Sequence, residues 1–324
     1  MDTAQANGIQ WEKSYEWLKS QKGPWQTDKK LNDVFPEYYQ KEFHAYQDGN
    51  LCWNAAIEQE LASRAVGARN FPAQGPNGED AFRSAFESAI LKQSGRSPET
   101  LTGIVLDLGC GTGTSTRRLA ELFPNASKLV GMDLSPYFIQ VGQSLLDLAP
   151  KKESEEWVTT IIPDERVELR VGDATNTNLD DESVDVLNLS LVIHELPVAI
   201  TLEVCREALR VLKPGGQLFV SEMDFDSPAY AAQRENALLF SLLRATEPYL
   251  DDYADGCEEI REFLVANFDT VKITAATGRH YAMVATKSVD PDSSVSGKIQ
   301  DSRFDSNGNY SVDDTHLKVW ESKE

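Results

Sequence analysis

The sequence predicts an α/β protein: a doubly wound, mostly parallel seven-stranded sheet with an antiparallel last strand, preceded by an N-terminal helical extension. Three observations predict it. Short apolar runs alternate with amphipathic stretches through the middle of the chain, the pattern of a parallel sheet covered by helices on both faces. One of those runs, at 104–108, passes straight into three alternating glycines and then into a helix-like segment. The last two strand-like runs are separated only by residues 276–279, a joint that suits a hairpin and is too short for a parallel crossover.

Residues 1–97 read as the helical extension, with helical patterns near 11–21, from Pro36 onward, across 54–68 and across 79–93. Ala56, Ile57, Leu61 and Ala65 share one face at a 3.6-residue period, and Phe82, Phe86, Ala89 and Ile90 repeat that spacing. Gly95 and Pro98 punctuate the boundary. Residues 98–287 form the α/β domain. Its strand-like runs lie at 104–108, 129–132, 167–171, 184–191, 217–221, 270–275 and 280–286, and helical patterns lie at 114–122, 136–148 and 197–212. Residues 288–324 are rich in Asp, Ser, Gly and Asn and are expected to form a loosely packed acidic tail. Tyr310, Leu317, Val319 and Trp320 are the residues there that can dock locally.

Composition narrows the function classes. A chain of 324 residues, 41% hydrophobic, can bury one sizeable α/β domain with an extension, or two small domains. No apolar run approaches the ~20 residues of a membrane span. Residues 1–10 are polar, without the basic and apolar segments of a secretory signal. Cys52, Cys110, Cys205 and Cys257 form no C-x-x-C pair and have no His cluster beside them, so no disulfide framework or metal site is expected and a reducing, cytoplasmic compartment fits. A net charge of −21 repels phosphate backbones and acidic membrane surfaces. That leaves small-molecule substrates rather than nucleic acid or membrane as partners, with the oligomeric state open.

The chemistry is concentrated in the glycine turn. Residues 104–113 read IVLDLGCGTG, and Gly109, Gly111 and Gly113 let the backbone turn left-handed and approach a ligand closely. The helix-like segment that follows offers free N–H groups to a polar or anionic group. Asp133 ends the next strand-like run twenty residues beyond Gly113, where a carboxylate can accept from both hydroxyls of a ribose. Asp173 follows the third run. A dinucleotide fingerprint, G-x-G-x-x-G, would place its third glycine at position 114, where this chain has Thr114. The segment that carries these residues resembles the first motif of class I (Rossmann-like) S-adenosylmethionine-dependent methyltransferases of the small-molecule type. The resemblance continues through 184–197, which looks like the fourth strand and its turn, and through 206–218, which looks like the helix and turn before strand five. It spans roughly the middle half of the chain.

The resemblance implies S-adenosyl-L-methionine as cofactor and methyl transfer to a small organic acceptor. It places Asp107 at the amino-acid end of the cofactor, Asp133 at the ribose and Asp173 near the adenine, with Gly109, Gly111, Gly113, Leu134, Ala174 and Ser190 completing the binding set. For catalysis His194, with Glu195 beside it, stands after the fourth strand at the edge where open α/β sheets bind ligands. His194 is a candidate base, weighed against a packing or capping role. His280 and Arg279 begin the last strand near the same edge. Tyr38, Tyr39, His44 and Tyr46, with Trp53 further on, form an aromatic-dense segment that resembles a lid in some small-molecule methyltransferases; packing on the core is the plainer reading. Aromatic faces suit a sulfonium. Residues 188–191 read Asn-Leu-Ser-Leu rather than the Pro-Pro-aromatic motif of enzymes that methylate DNA amino groups or protein Gln. A calcium loop over 303–314 would put Arg303 at the first ligand position, which disfavours it. Two alternatives stay open: an aminopropyl transferase using decarboxylated cofactor, and a non-catalytic cofactor-binding partner subunit.

Overall fold

The computed structural model describes residues 2–21, 23, 25, 34–149, 161–290 and 297–312. Eight strands form one sheet: β1 Ile104–Leu108, β2 Lys128–Asp133, β3 Val167–Val171, β4 Val184–Ser190, β5 Leu212–Met223, β6 Thr270–Ala275, β7 His280–Thr286 and β8 Lys298–Asp301. Their order is β3-β2-β1-β4-β5-β7-β6-β8. All pairings are parallel except those of β7, which runs antiparallel to both β5 and β6. The doubly wound fold with one antiparallel strand is therefore present, with an eighth strand added to the expected seven.

Both faces of the sheet are covered, which is why the strands read as continuous apolar runs. Along β1, Val105 joins one core while Leu106 and Leu108 join the other. The first core takes Phe82, Phe86 and Ile90 from α4 Gly78–Ser94 and Leu119 from α5 Thr114–Leu122. The opposite core takes Val198 and Leu202 from α7 Val198–Val211, and Tyr253, Ile260 and Leu264 from α10 Leu250–Asn267. Between β2 and β3 lies α6 Pro136–Leu148, whose Ser135 cap accepts from Phe138 N–H with proline at the first turn.

The N-terminal extension is helical, as α1 Asp2–Ala6, α2 Trp11–Ser20, α3 Trp53–Asn70 and α4. The α3–α4 pair crosses at Gly67 and Gly78: a Cβ on Gly67 would sit 2.2 Å from the Glu79 backbone, so the contact demands glycine. The helix expected from Pro36 is replaced by a single 3-10 turn, Glu37–Gln40, followed by a loop in which His44 and Ala45 have φ of 48° and 64°. Its aromatic residues are weak helix formers and spend their surface on tertiary contacts instead of a helix face.

The tail also differs from expectation. Strand β8 pairs with β6, and Arg303, only 4% exposed, is held by Asp224 at 2.8 Å, Asp226 at 3.0 Å and Asp301 at 2.7 Å. Tyr310 docks, donating its hydroxyl to Asp224 at 2.8 Å. Three carboxylates converging on one guanidinium supply what the polar composition of this segment conceals. Leu317, Val319 and Trp320, and position 314 of the calcium-loop reading, lie outside the described residues. The turn expected at 213–216 is a break in register within β5: Val184 faces Leu212 but Val186 faces Gln217. Helices α8 Pro228–Glu235 and α9 Ala237–Arg244 form an insertion between β5 and α10.

Candidate functional site

The carboxyl ends of β1 to β5, with the start of β7, meet at the point where strand order reverses between β1 and β4, the place open α/β sheets offer to ligands. A cavity of about 580 Å³ opens there, between this edge, α3, residues 38–50 and the 228–249 insertion. Gly109, Gly111, Asp133, Leu134, Ala174 and Ser190 line its floor. Asp107, Gly113 and Asp173 are not among the lining residues.

The glycine turn is built as its sequence requires. Gly109, Gly111 and Gly113 have φ of 69°, 56° and 87°. Space is short as well: a Cβ on Gly109 would lie 2.7 Å from Val192, and one on Gly113 2.9 Å from Leu169. The Asp133 carboxylate accepts from Gly111 N–H at 2.9 Å, Ser135 N–H at 2.8 Å and the Tyr39 hydroxyl at 3.2 Å. Burial raises its pKa, and these bonds offset part of the rise. Asp107, 1% exposed, turns away from the cavity. It accepts from Ser115 Oγ at 2.7 Å, Thr116 Oγ1 at 2.6 Å and Asn188 Nδ2 at 2.8 Å, joining β1, β4 and the first turn of α5. Asp173 closes a local turn, accepting from Thr175 N–H and Oγ1, and leaves Gly172 and Ala174 to reach the cavity.

Helix α3 clamps the turn from outside. Glu60, 2% exposed, accepts from Arg117 at 2.5 Å and from the hydroxyls of Thr112 and Thr114, each at 2.9 Å. Arg83 of α4 donates to Ser190 Oγ at 2.9 Å. The helical extension is thus part of the site's foundation.

Tyr38, Tyr39, His44 and Tyr46 all line the upper wall; Trp53 does not, and packs edge-on against Tyr137 at 4.7 Å between centroids. This wall is stitched to the 228–249 insertion by His44 N–H on Thr246 O at 3.0 Å and by the Tyr249 hydroxyl on Tyr38 O at 2.9 Å. His194, Glu195, Arg279 and His280 face the same space. His194 Nδ1 lies 2.7 Å from Glu222 Oε1, and Glu222 is fully buried. Burial pulls the His194 pKa down, but the Glu222 carboxylate outweighs it and raises the pKa to about 10, so the ring is an imidazolium at neutral pH. Burial pushes Glu195 up to about 7, against the pull of His44 and His194.

His280 is the opposite case. Burial, reinforced by His194 and Arg279, lowers its pKa to about 3, so it is neutral. Its ring packs edge-on against Phe82 at 5.0 Å and Phe86 at 5.7 Å. Thr277 Oγ1 already accepts the N–H groups of Arg279 and His280, so its own proton goes to His280 Nδ1 at 2.9 Å. That assignment leaves the ring proton on Nε2, making His280 a donor toward the cavity rather than a base.

Sequence reading did not find Glu222, Glu60, Glu247 or Tyr230. Glu222 left one signal, a carboxylate set beside the apolar run Leu218–Val220 near the end of β5; Glu60 and Glu247 pair with Arg117 and His44, remote in the chain. Among the described residues no helix is long and apolar enough to cross a membrane.

Residues 106–220 match the sequence model of a family described as a methyltransferase domain. A demethylmenaquinone methyltransferase of Clavibacter sepedonicus is 32% identical over 160 residues, 49% of this chain and 56% of its own length. An arsenite methyltransferase of Aquipseudomonas alcaligenes is 29% identical over 161 residues, 48% of this chain and 43% of its own. The chain thus spans about half the length of these curated relatives. A solved structure of a putative S-adenosyl-L-methionine-dependent methyltransferase from Methanococcus maripaludis is 12% identical, with a TM-score of 0.47 over 81% of this chain and all of that one. The matched stretch, 106–220, runs from β1 into β5 and includes the glycine turn.

Proposed function

We propose that this chain binds S-adenosyl-L-methionine on the glycine turn and transfers its methyl group to a small organic acceptor held under the 38–50 wall. The observation that carries the reading is the shared cavity: the Gly109–Gly111 backbone and the Asp133 carboxylate form its floor, and the same space continues to His194, Tyr230 and Tyr249. Cofactor and acceptor would thus meet in one enclosure, and methyl transfer asks the protein chiefly for that alignment and for exclusion of water.

In this reading Asp133 takes the ribose hydroxyls, Leu134 and Ala174 flank the adenine, and the open N–H groups at the start of α5 serve the amino-acid end. Asp107 acts one step back, holding Ser115 and Thr116 so that α5 starts where the ligand needs it. His194 serves as a fixed positive group beside the acceptor rather than as a base, since Glu222 keeps it protonated. Tyr38, Tyr39, Tyr46 and Arg279 shape the acceptor end.

The test is direct. Purified protein is titrated with S-adenosyl-L-methionine in a calorimeter, then incubated with methyl-labelled cofactor and pooled metabolites. Saturable binding and a labelled small product are expected. A co-purified nicotinamide dinucleotide, or binding restricted to the decarboxylated cofactor, would overturn the assignment.

A further inference from the structure

Above the acceptor end, three ligand-bearing side chains converge from three remote parts of the chain. His44 comes from the 38–50 wall, Glu195 from the turn after β4, and Glu247 from the link between α9 and α10. One ligand atom from each lies within 4.8 Å of the others. His44 Nε2 is 2.8 Å from Glu247 Oε1. The second oxygen of Glu247 is buried and has no hydrogen-bond partner, although the side chain is only 9% exposed. A buried carboxylate oxygen without a donor is costly and calls for an occupant. Asn50 Nδ2 steadies Glu195 from outside, 3.4 Å from Oε2.

We propose that His44, Glu195 and Glu247 form a binding site for one divalent first-row transition-metal ion, open to the cavity on its remaining side. The donor set argues for the class of ion: one imidazole and two carboxylates suit zinc or manganese, while the absence of thiolate from this cluster disfavours the softest ions. Three protein ligands leave further coordination positions for water or a ligand oxygen. Charge argues the same way, since two carboxylates, once ionised, balance a divalent cation. The ion would bind the 38–50 wall to the insertion at the point where His44 N–H already meets Thr246 O. This site is separate from the glycine turn, so it stands or falls independently of the methyltransferase reading. It also departs from the expectation of no metal, because its members are 151 and 52 residues apart along the chain and form no sequence motif.

The test uses full-length protein stripped with a chelator and titrated with Zn²⁺ against a competing dye, with Co²⁺ absorption as a second readout of ligand geometry. Wild type is expected to bind one ion per chain. His44→Ala and Glu247→Gln should weaken binding by at least the roughly 10- to 100-fold that loss of a supporting group around a metal costs. Glu262→Gln, an exposed acid on α10, should bind as wild type does and controls for the acidic surface. Failure of wild type to bind an ion stoichiometrically, or equal binding by all four proteins, overturns the proposal. If Glu247→Gln fails to fold, the half-exposed His44→Ala decides the question.

Discussion

Asp133 carries three donors on one carboxylate, two from backbone and one from Tyr39. Asp133→Ala therefore removes the proposed ribose acceptor and also releases Gly111 and Ser135. Cofactor binding should weaken by about 1–3 kcal/mol, read by calorimetry; unchanged affinity would refute the assignment. Tyr39→Phe separates the two contributions, because it removes one bond to Asp133 while the backbone bonds stay, and its loss should fall at the low end, about 0.5–1.5 kcal/mol.

His280 makes a prediction about pH. Its folded pKa, about 3, lies below the ordinary value of 6.5, so the unfolded chain takes up a proton that the folded chain refuses. Stability from this residue is complete above pH 6.5 and is lost as pH falls from there toward 3. In urea titrations at a series of pH values, His280→Gln should flatten the fall in stability across that window. Equal slopes for both proteins would contradict a buried, neutral imidazole.

Among the elements, α3 matters more than a lid would. Its Glu60 meets Arg117 and two threonine hydroxyls beneath the glycine turn, with both charges buried. Glu60→Gln leaves Arg117 buried without its counter-charge and should cost about 3–5 kcal/mol of unfolding free energy. The expected signature is a lower urea midpoint together with weaker cofactor binding, because the same bonds hold Thr112 and Thr114. The wall over the cavity is the shorter 38–50 segment. The helices before it are tied to the core: Leu18 of α2 packs with Ile57 of α3 and Tyr137 of α6. Removing everything before Leu51 would strip that core cluster, so point changes such as Tyr39→Phe are the sharper probe of the 38–50 wall.

At the scale of the molecule, the last described segment fastens the sheet's far edge. Arg303 sits among Asp224, Asp226 and Asp301, and Tyr310 covers the same Asp224. Arg303→Met should destabilise the whole fold by about 3–5 kcal/mol, since it strands Asp224 in the interior. Loss confined to the tail, with an unchanged global urea transition, would show that β8 is dispensable.

Much of the fold was legible before any coordinates. The β1 run, the glycines, the Pro136 helix and the hairpin at 276–279 are local patterns, fixed by side-chain period and by residues with special backbone freedom. That Gly109, Gly111 and Asp133 line one cavity was legible for the same reason: they follow or end adjacent parallel strands, so their meeting follows from the fold. Tertiary structure decided what depends on remote partners. It turned Asp107 inward onto Ser115 and Thr116, charged His194 through Glu222, kept His280 neutral, replaced the helix after Pro36 with a turn, and drew a polar tail into the sheet. Each of these outcomes depends on burial and on which charge ends up a few ångströms away, and neither quantity is written in the spacing of residues along the chain.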